Sequence, residues 1–215
     1  MRESLSEKKA RAGCVYSKLN AHYHYTGSFL KHQTPFQLLI SVILSAQCTD
    51  DKVNEITPKL FKKYPDACAL SYADLEVIKA IIRPINYYIT KANNILKTAK
   101  IIEAEHSGRV PNGRAELMTL PGIGRKSANV ILSDVFQIPA ITVDTHVKRL
   151  SKRLGFSKHD DAFKIEQDLT KVWPRDLWQT YSSFIIQHGR KVCKAKNPEC
   201  KGCFLNDVCP SAVTL

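Results

Sequence analysis

Apolar residues recur at spacings of three and four through most of this chain. No sustained two-residue alternation and no hairpin signature interrupts them, so the pattern predicts helices and no sheet. The run Phe36-Gln-Leu-Leu-Ile-Ser-Val-Ile-Leu-Ser45 is apolar nearly all round. It opens on Thr34-Pro35, a cap residue followed by proline at the first helical position. From Val53 to Tyr64 the residues Val53, Ile56, Leu60 and Phe61 share one side, as in an amphipathic helix. A hydroxyl cap at Ser71 precedes another helical stretch, and residues 90–106 repeat apolar positions at helical spacing. Further helices are expected at 114–120, 125–136, 145–154, 160–172 and 176–188. Connections are short and marked by proline or glycine, at Tyr64-Pro65, Gly108 to Gly113, Ile138-Pro139, Gly155 and Trp173-Pro174. The expected fold class is all-α, and composition alone marks no domain boundary.

Charge narrows the choice of partner. Across 215 residues, 32 basic side chains face 20 acidic ones, a formal charge of +12. The excess is spread out: five basic against two acidic in 1–27, 14 against 10 in 28–138, and 13 against eight in 139–215. Basic faces on a folded body fit this better than a basic tail, and the commonest polyanion to meet them is nucleic acid. No apolar run approaches the roughly 20 residues a spanning helix needs. The start, Met1-Arg-Glu-Ser-Leu-Ser-Glu, lacks the apolar core of a secretory signal. A cytoplasmic protein, complete in itself and monomeric, is the expectation.

The most informative stretch is Leu120-Pro-Gly-Ile-Gly-Arg-Lys126, followed after one helix by Val143-Asp-Thr-His146. Residues from Val110 to Leu120, the glycine turn and Arg125 onward read as helix, tight turn, helix. Gly122 and Gly124 are expected to supply positive φ and close backbone approach. The amide N–H groups opening the second helix, with the positive end of its dipole, form an anion site suited to a DNA phosphate. Lys126 sits in that first turn, the unfavourable end of the dipole for a cation, beside the like charge of Arg125. Both effects, and any burial, favour the neutral amine that a nucleophile requires. Asp144 has the position of an N-cap, held as an anion and able to support a positively charged sugar. His146 is expected to be a packed residue and not a base.

Seven cysteines are present. Cys14, Cys48 and Cys68 are scattered and are expected to be small buried hydrophobes. Cys193, Cys200, Cys203 and Cys209 form a compact set of the kind that binds metal in reducing compartments. Their spacing alone does not separate a structural zinc from a [4Fe–4S] cluster. Lys194, Lys196 and Lys201 lie within the loop, offering a second phosphate contact.

Taken together, the residues from Leu120 to Val130, Val143 to His146, Leu44-Ser-Ala-Gln47-Cys-Thr-Asp50, His188-Gly-Arg and the four cysteines resemble the endonuclease III group. That group belongs to the helix-hairpin-helix DNA glycosylase superfamily, and the resemblance covers nearly the whole chain. It implies two helical domains flanking a DNA cleft. Residues 28–138 would form a six-helix barrel domain with the hairpin. Residues 1–27 and 139–215 would form a cluster domain with a [4Fe–4S] loop at 193–209. It implies base excision repair of duplex DNA carrying oxidised pyrimidines or abasic sites. Lys126 would form a Schiff base after releasing the base, β-elimination would cut the strand 3′ to the abasic sugar, and Asp144 would assist. Gln47 would fill the space left by the extruded base, Tyr87 would be a second intercalating residue, and Asp50 would lie near the pocket. Gly122, Gly124, Arg125, Lys194 and Lys196 would contact DNA. The sequence departs from the family in Arg83-Pro-Ile-Asn-Tyr-Tyr-Ile, where Asn86 stands in place of the usual glycine with Pro84 just before it, so the shape of this loop is not carried over. The alternatives are a monofunctional mismatch glycosylase, which would lack the lysine, and a non-catalytic DNA-binding module.

Overall fold

The computed structural model describes residues 3–25 and 27–212, and among these it contains helices and no strand. In chain order the helices are α1 (Leu5–His22), α2 (Pro35–Ser45), α3 (Asp50–Lys63), α4 (Ala67–Ser71), α5 (Leu75–Ile82), α6 (Tyr88–His106), α7 (Arg114–Thr119), α8 (Arg125–Phe136), α9 (Thr145–Arg153), α10 (Ala162–Val172) and α11 (Trp178–Lys191). Three short 3₁₀ turns lie at Arg175–Leu177, Cys200–Gly202 and Asn206–Val208. Among the described residues no helix is long and apolar enough to cross a membrane.

The chain divides into two compact units, one of residues 28–138 and one joining 1–27 to 139–215. In the first, α2 is the central element. Every residue from Phe36 to Leu44 is buried, as a helix apolar on all sides must be, and α3, α6 and α8 pack around it. Thr34 accepts the Gln37 N–H at 3.2 Å and Pro35 opens the helix, as the sequence predicts. Helices α4 and α5 pack on α6, and Arg114 ties α7 to α8 through Asn129 Oδ1 at 2.9 Å.

In the second unit α1 packs on α10 and α11, and α9 packs on α10 and α11. Val15, Leu19, Val147, Leu150, Leu169 and Phe184 form its centre, with the Trp173 and Tyr181 rings stacked at 4.2 Å.

Several expectations are corrected. Helix α1 was not anticipated, because its apolar stripe is only Ala12, Val15 and Leu19 among many polar residues; a capping box of Ser4 and Glu7 starts it. Ser71 ends α4 instead of capping the next helix, and Asp74 is the cap of α5. The helix before the glycine turn is Arg114–Thr119, as expected at 114–120, and the broader reading from Val110 is shortened to it, with Gly113 as its extended N-cap. Cys14 and Cys68 are exposed, not buried: each lies on the outer face of a helix whose apolar stripe points elsewhere.

Candidate active site

The glycine turn is built by two different devices. Gly122 has φ +86°, and a Cβ there would stand 3.0 Å from Asn94 Nδ2 and 3.2 Å from Ile43 Cγ2, so both conformation and space require glycine. Gly124 departs from the expectation: its φ is −96° and a Cβ would meet nothing within 4 Å. Its use is the open space it leaves in front of α8. The turn closes through Ile123 N–H to the Leu120 carbonyl at 3.1 Å. The N-cap of α8 is Gly124 itself, which makes no side-chain cap hydrogen bond to that helix.

Arg125 and Lys126 are the first two residues of α8. Lys126 is exposed. The chain around it therefore supplies no burial of its own, and desolvation of the amine would have to come with a bound substrate.

Gln47 and Tyr87 are also exposed, and both take a left-handed backbone, with φ of 53° and 58°. For non-glycine residues this costs about 1 kcal/mol or more each, and such strain persists where surrounding contacts impose it. Gln47 follows the end of α2 and Tyr87 precedes α6. In the loop from Arg83 to Tyr88 the positive φ falls at Tyr87 and not at Asn86. The Asn86 side chain instead donates from Nδ2 to the Gln47 carbonyl at 2.9 Å. Asp50 is the first residue of α3, half-buried behind the Thr49 cap.

Lys91 was missed from sequence. Only 5% exposed, it donates from Nζ to the carbonyls of Leu44 at 2.8 Å and Ala46 at 2.6 Å, the last carbonyls of α2. A cation at a helix C-terminus opposes the dipole favourably, while burial pulls its pKa down. The signal was there: Lys91 falls on the apolar stripe of α6 with Ala92, Ile95, Ala99 and Ile102.

In the other unit, Asp144 caps α9 as the sequence predicts, accepting the Val147 N–H at 2.8 Å. His146 is packed and hydrogen-bonded. Its Nδ1 lies 3.1 Å from Arg149 Nη2, and a Cβ on Gly189 would come within 2.8 Å of that nitrogen, so glycine is needed where α11 passes. Burial pulls the His146 pKa down, Arg149 and Arg190 add to this, and Asp144 opposes it.

Cys193, Cys200, Cys203 and Cys209 line one pocket of about 30 Å³, together with Leu150, His188 and Leu205. Donors already face the sulfurs: Arg153 Nη1 to Cys193 Sγ at 3.2 Å and the Leu205 N–H to Cys203 Sγ at 3.4 Å. Burial pushes the thiols of Cys203 and Cys209 up. Arg149 holds the loop by the carbonyls of Cys193 and Gly189, both at 2.9 Å, and Arg153 by those of Lys194 and Ala195. Neither arginine was singled out from sequence, although their i, i+4 spacing on α9 puts both on one face. Among the described residues no group of three or more His, Cys, Asp or Glu could hold a single metal ion. Four cysteines around a pocket with cationic and amide donors nonetheless fit a thiolate-ligated metal cluster. Lys194, Lys196 and Lys201 are exposed on this loop, and Lys194 pairs with Glu199 at 2.7 Å.

Residues 40–175 match the HhH-GPD superfamily base excision DNA repair protein model. The chain is 48% identical over 209 residues to endonuclease III of Synechocystis, covering 97% of this chain and 95% of that one. It is 44% identical over 181 residues to endonuclease III of Bacillus subtilis, covering 84% and 83%. A solved structure of a trapped endonuclease III–DNA covalent intermediate superposes with a TM-score of 0.88 at 41% identity, covering 96% of this chain and 97% of that one. The chain belongs to the HhH-GPD superfamily of base excision DNA repair proteins. It is a DNA glycosylase acting in base excision repair.

Proposed function

We propose that the chain is a bifunctional enzyme that removes oxidised pyrimidines from duplex DNA and then cuts the strand through a lysine Schiff base. The observation that carries this reading is Lys126 in the first turn of α8, exposed just behind a glycine N-cap that leaves open space in front of the helix. The covalently trapped DNA intermediate of the related endonuclease III supports it. Monofunctional relatives would have no lysine to place there.

The α8 amides and Arg125 would hold a backbone phosphate, fixing the strand without reading its sequence. Extruding a damaged nucleotide costs roughly a few kcal/mol, less than for a sound one. Gln47 would occupy the gap and Tyr87 would stack beside it; Asp50 would lie near the extruded base. The neutral Lys126 amine attacks C1′ as the N-glycosidic bond breaks, and the base leaves with the bonding electrons and takes a proton. The nitrogen, now bonded to C1′, gives up a proton. Its lone pair then forms the iminium as the C1′–O4′ bond breaks, and O4′ leaves with that bond's electrons and takes up a proton. Removal of a C2′ proton then expels the 3′ phosphate, which is β-elimination. Asp144, held in place by its cap hydrogen bond, would stabilise the cationic sugar and accept protons.

Cys193, Cys200, Cys203 and Cys209 would hold a [4Fe–4S] cluster. Its contribution when bound is structural: it would hold rigid the loop that carries Lys196 and Lys201. Zinc is the less favoured occupant.

Borohydride reduction during turnover of an abasic duplex tests the proposal. The wild type should form a covalent adduct, Lys126→Gln should form none, and an undiminished adduct with Lys126→Gln would refute it.

A further inference from the structure

The turns that carry Gln47 and Tyr87 are tied to each other twice. Asn86, immediately before Tyr87, donates to the carbonyl of Gln47 at 2.9 Å. Lys91, one turn into α6, donates to the carbonyl of Ala46 at 2.6 Å and that of Leu44 at 2.8 Å. The backbone N–H of Lys91 in turn closes onto the Tyr87 carbonyl at 3.0 Å. Two consecutive carbonyls of one turn, Ala46 and Gln47, are thus gripped from the other. Both wedge candidates are exposed and left-handed, a conformation that glutamine and tyrosine do not hold by their own preference.

The geometry points to Asn86 as a positioning residue that locks the two turns together, so that Gln47 and Tyr87 enter a duplex as one rigid two-pronged wedge. This rests on the reading that the chain acts on an extruded nucleotide. Two side chains at fixed spacing lose less freedom on insertion than two independent loops would. The flat phenol of Tyr87 suits stacking on any base, whatever its identity. Asn86 would then act on extrusion and not on bond making. A glycine at this position would have no side chain with which to make the tie.

Single-stranded DNA has no opposing base and needs no wedge, which separates the two roles. The test compares wild type, Asn86→Ala and Asn86→Asp, the last keeping the size but removing the donor. Each is assayed by borohydride trapping on the same abasic oligonucleotide, single-stranded and in duplex. Extrusion is followed by 2-aminopurine fluorescence beside the lesion. Both variants should lose about fivefold in duplex kcat/KM, the worth of one such hydrogen bond, with slowed extrusion. Trapping on the single strand should keep the wild-type rate, which also shows that the variants are folded. Asn86→Ala should add little to Tyr87→Ala, because both act through one element. Wild-type duplex rates in both variants, or equal losses on single strand and duplex, would overturn the inference while leaving the Schiff-base reading intact. A wild type that traps on neither substrate would overturn that reading, and this role with it.

Discussion

The carboxylate of Asp144 accepts the backbone N–H of Val147 at 2.8 Å, which makes the candidate catalytic anion also the N-cap of α9. The two duties separate by substitution. Asparagine caps as well as aspartate but carries no charge, so Asp144→Asn should unfold in urea within about 0.5 kcal/mol of wild type, while Asp144→Ala should lose about 1 kcal/mol. Base release should fall by about a hundredfold or more in both, as expected for loss of a preorganised charge. Full activity in Asp144→Asn would leave the residue as a cap only.

Lys91 is a buried cation whose partners are carbonyls, and this predicts a large cost for its removal. Lys91→Met leaves the ends of α2 without their donor and should destabilise the protein by about 1–3 kcal/mol in urea unfolding. Exposed lysines such as Lys97, replaced the same way, should change stability by no more than about 0.5 kcal/mol. Similar values for the two would remove Lys91 from the account of how the Gln47 turn is held.

His146 supplies a pH dependence of known sign. Burial, then Arg149 and Arg190 against Asp144, hold its folded pKa below the ordinary 6.5. Just below that value the unfolded chain binds a proton that the folded chain refuses. Its contribution to stability therefore rises with pH across this window and is complete above 6.5. Urea midpoints measured against pH should rise more steeply for wild type than for His146→Gln, and parallel curves would contradict the assignment.

The cysteine pocket makes a prediction about metal. Because burial keeps Cys203 and Cys209 as thiols, binding must release protons, and the bound group should stabilise the loop it crosslinks. Purified wild type should carry iron and sulfide and absorb broadly in the visible. Cys203→Ser should lose that absorbance, melt several degrees lower and become sensitive to proteases between 193 and 209. Colourless wild type with one zinc per chain would refute the cluster.

Elements with strong local signals were legible in advance. The Thr34-Pro35 start of α2, the Asp144 cap and the first-turn place of Lys126 each depend on a few neighbouring residues. The homes of Lys91, Arg149 and Asn86 were not legible, because each is defined by a carbonyl far away in sequence. Exposure of Cys14 and Cys68 was missed for a related reason: residue type says what burial would be worth, and only helix phase says which face a side chain takes. Gly124 shows that a glycine can serve by leaving space alone, which its neighbours in sequence do not reveal.

The central claim is that one amine, on Lys126, becomes bonded to the sugar. Peptide mapping by mass spectrometry of the borohydride-reduced adduct with an abasic duplex tests it directly. The reduced deoxyribose remnant should be found on Lys126 and on no other residue. Its recovery on a different lysine or on the amino terminus, with Lys126 unmodified, would contradict the mechanism.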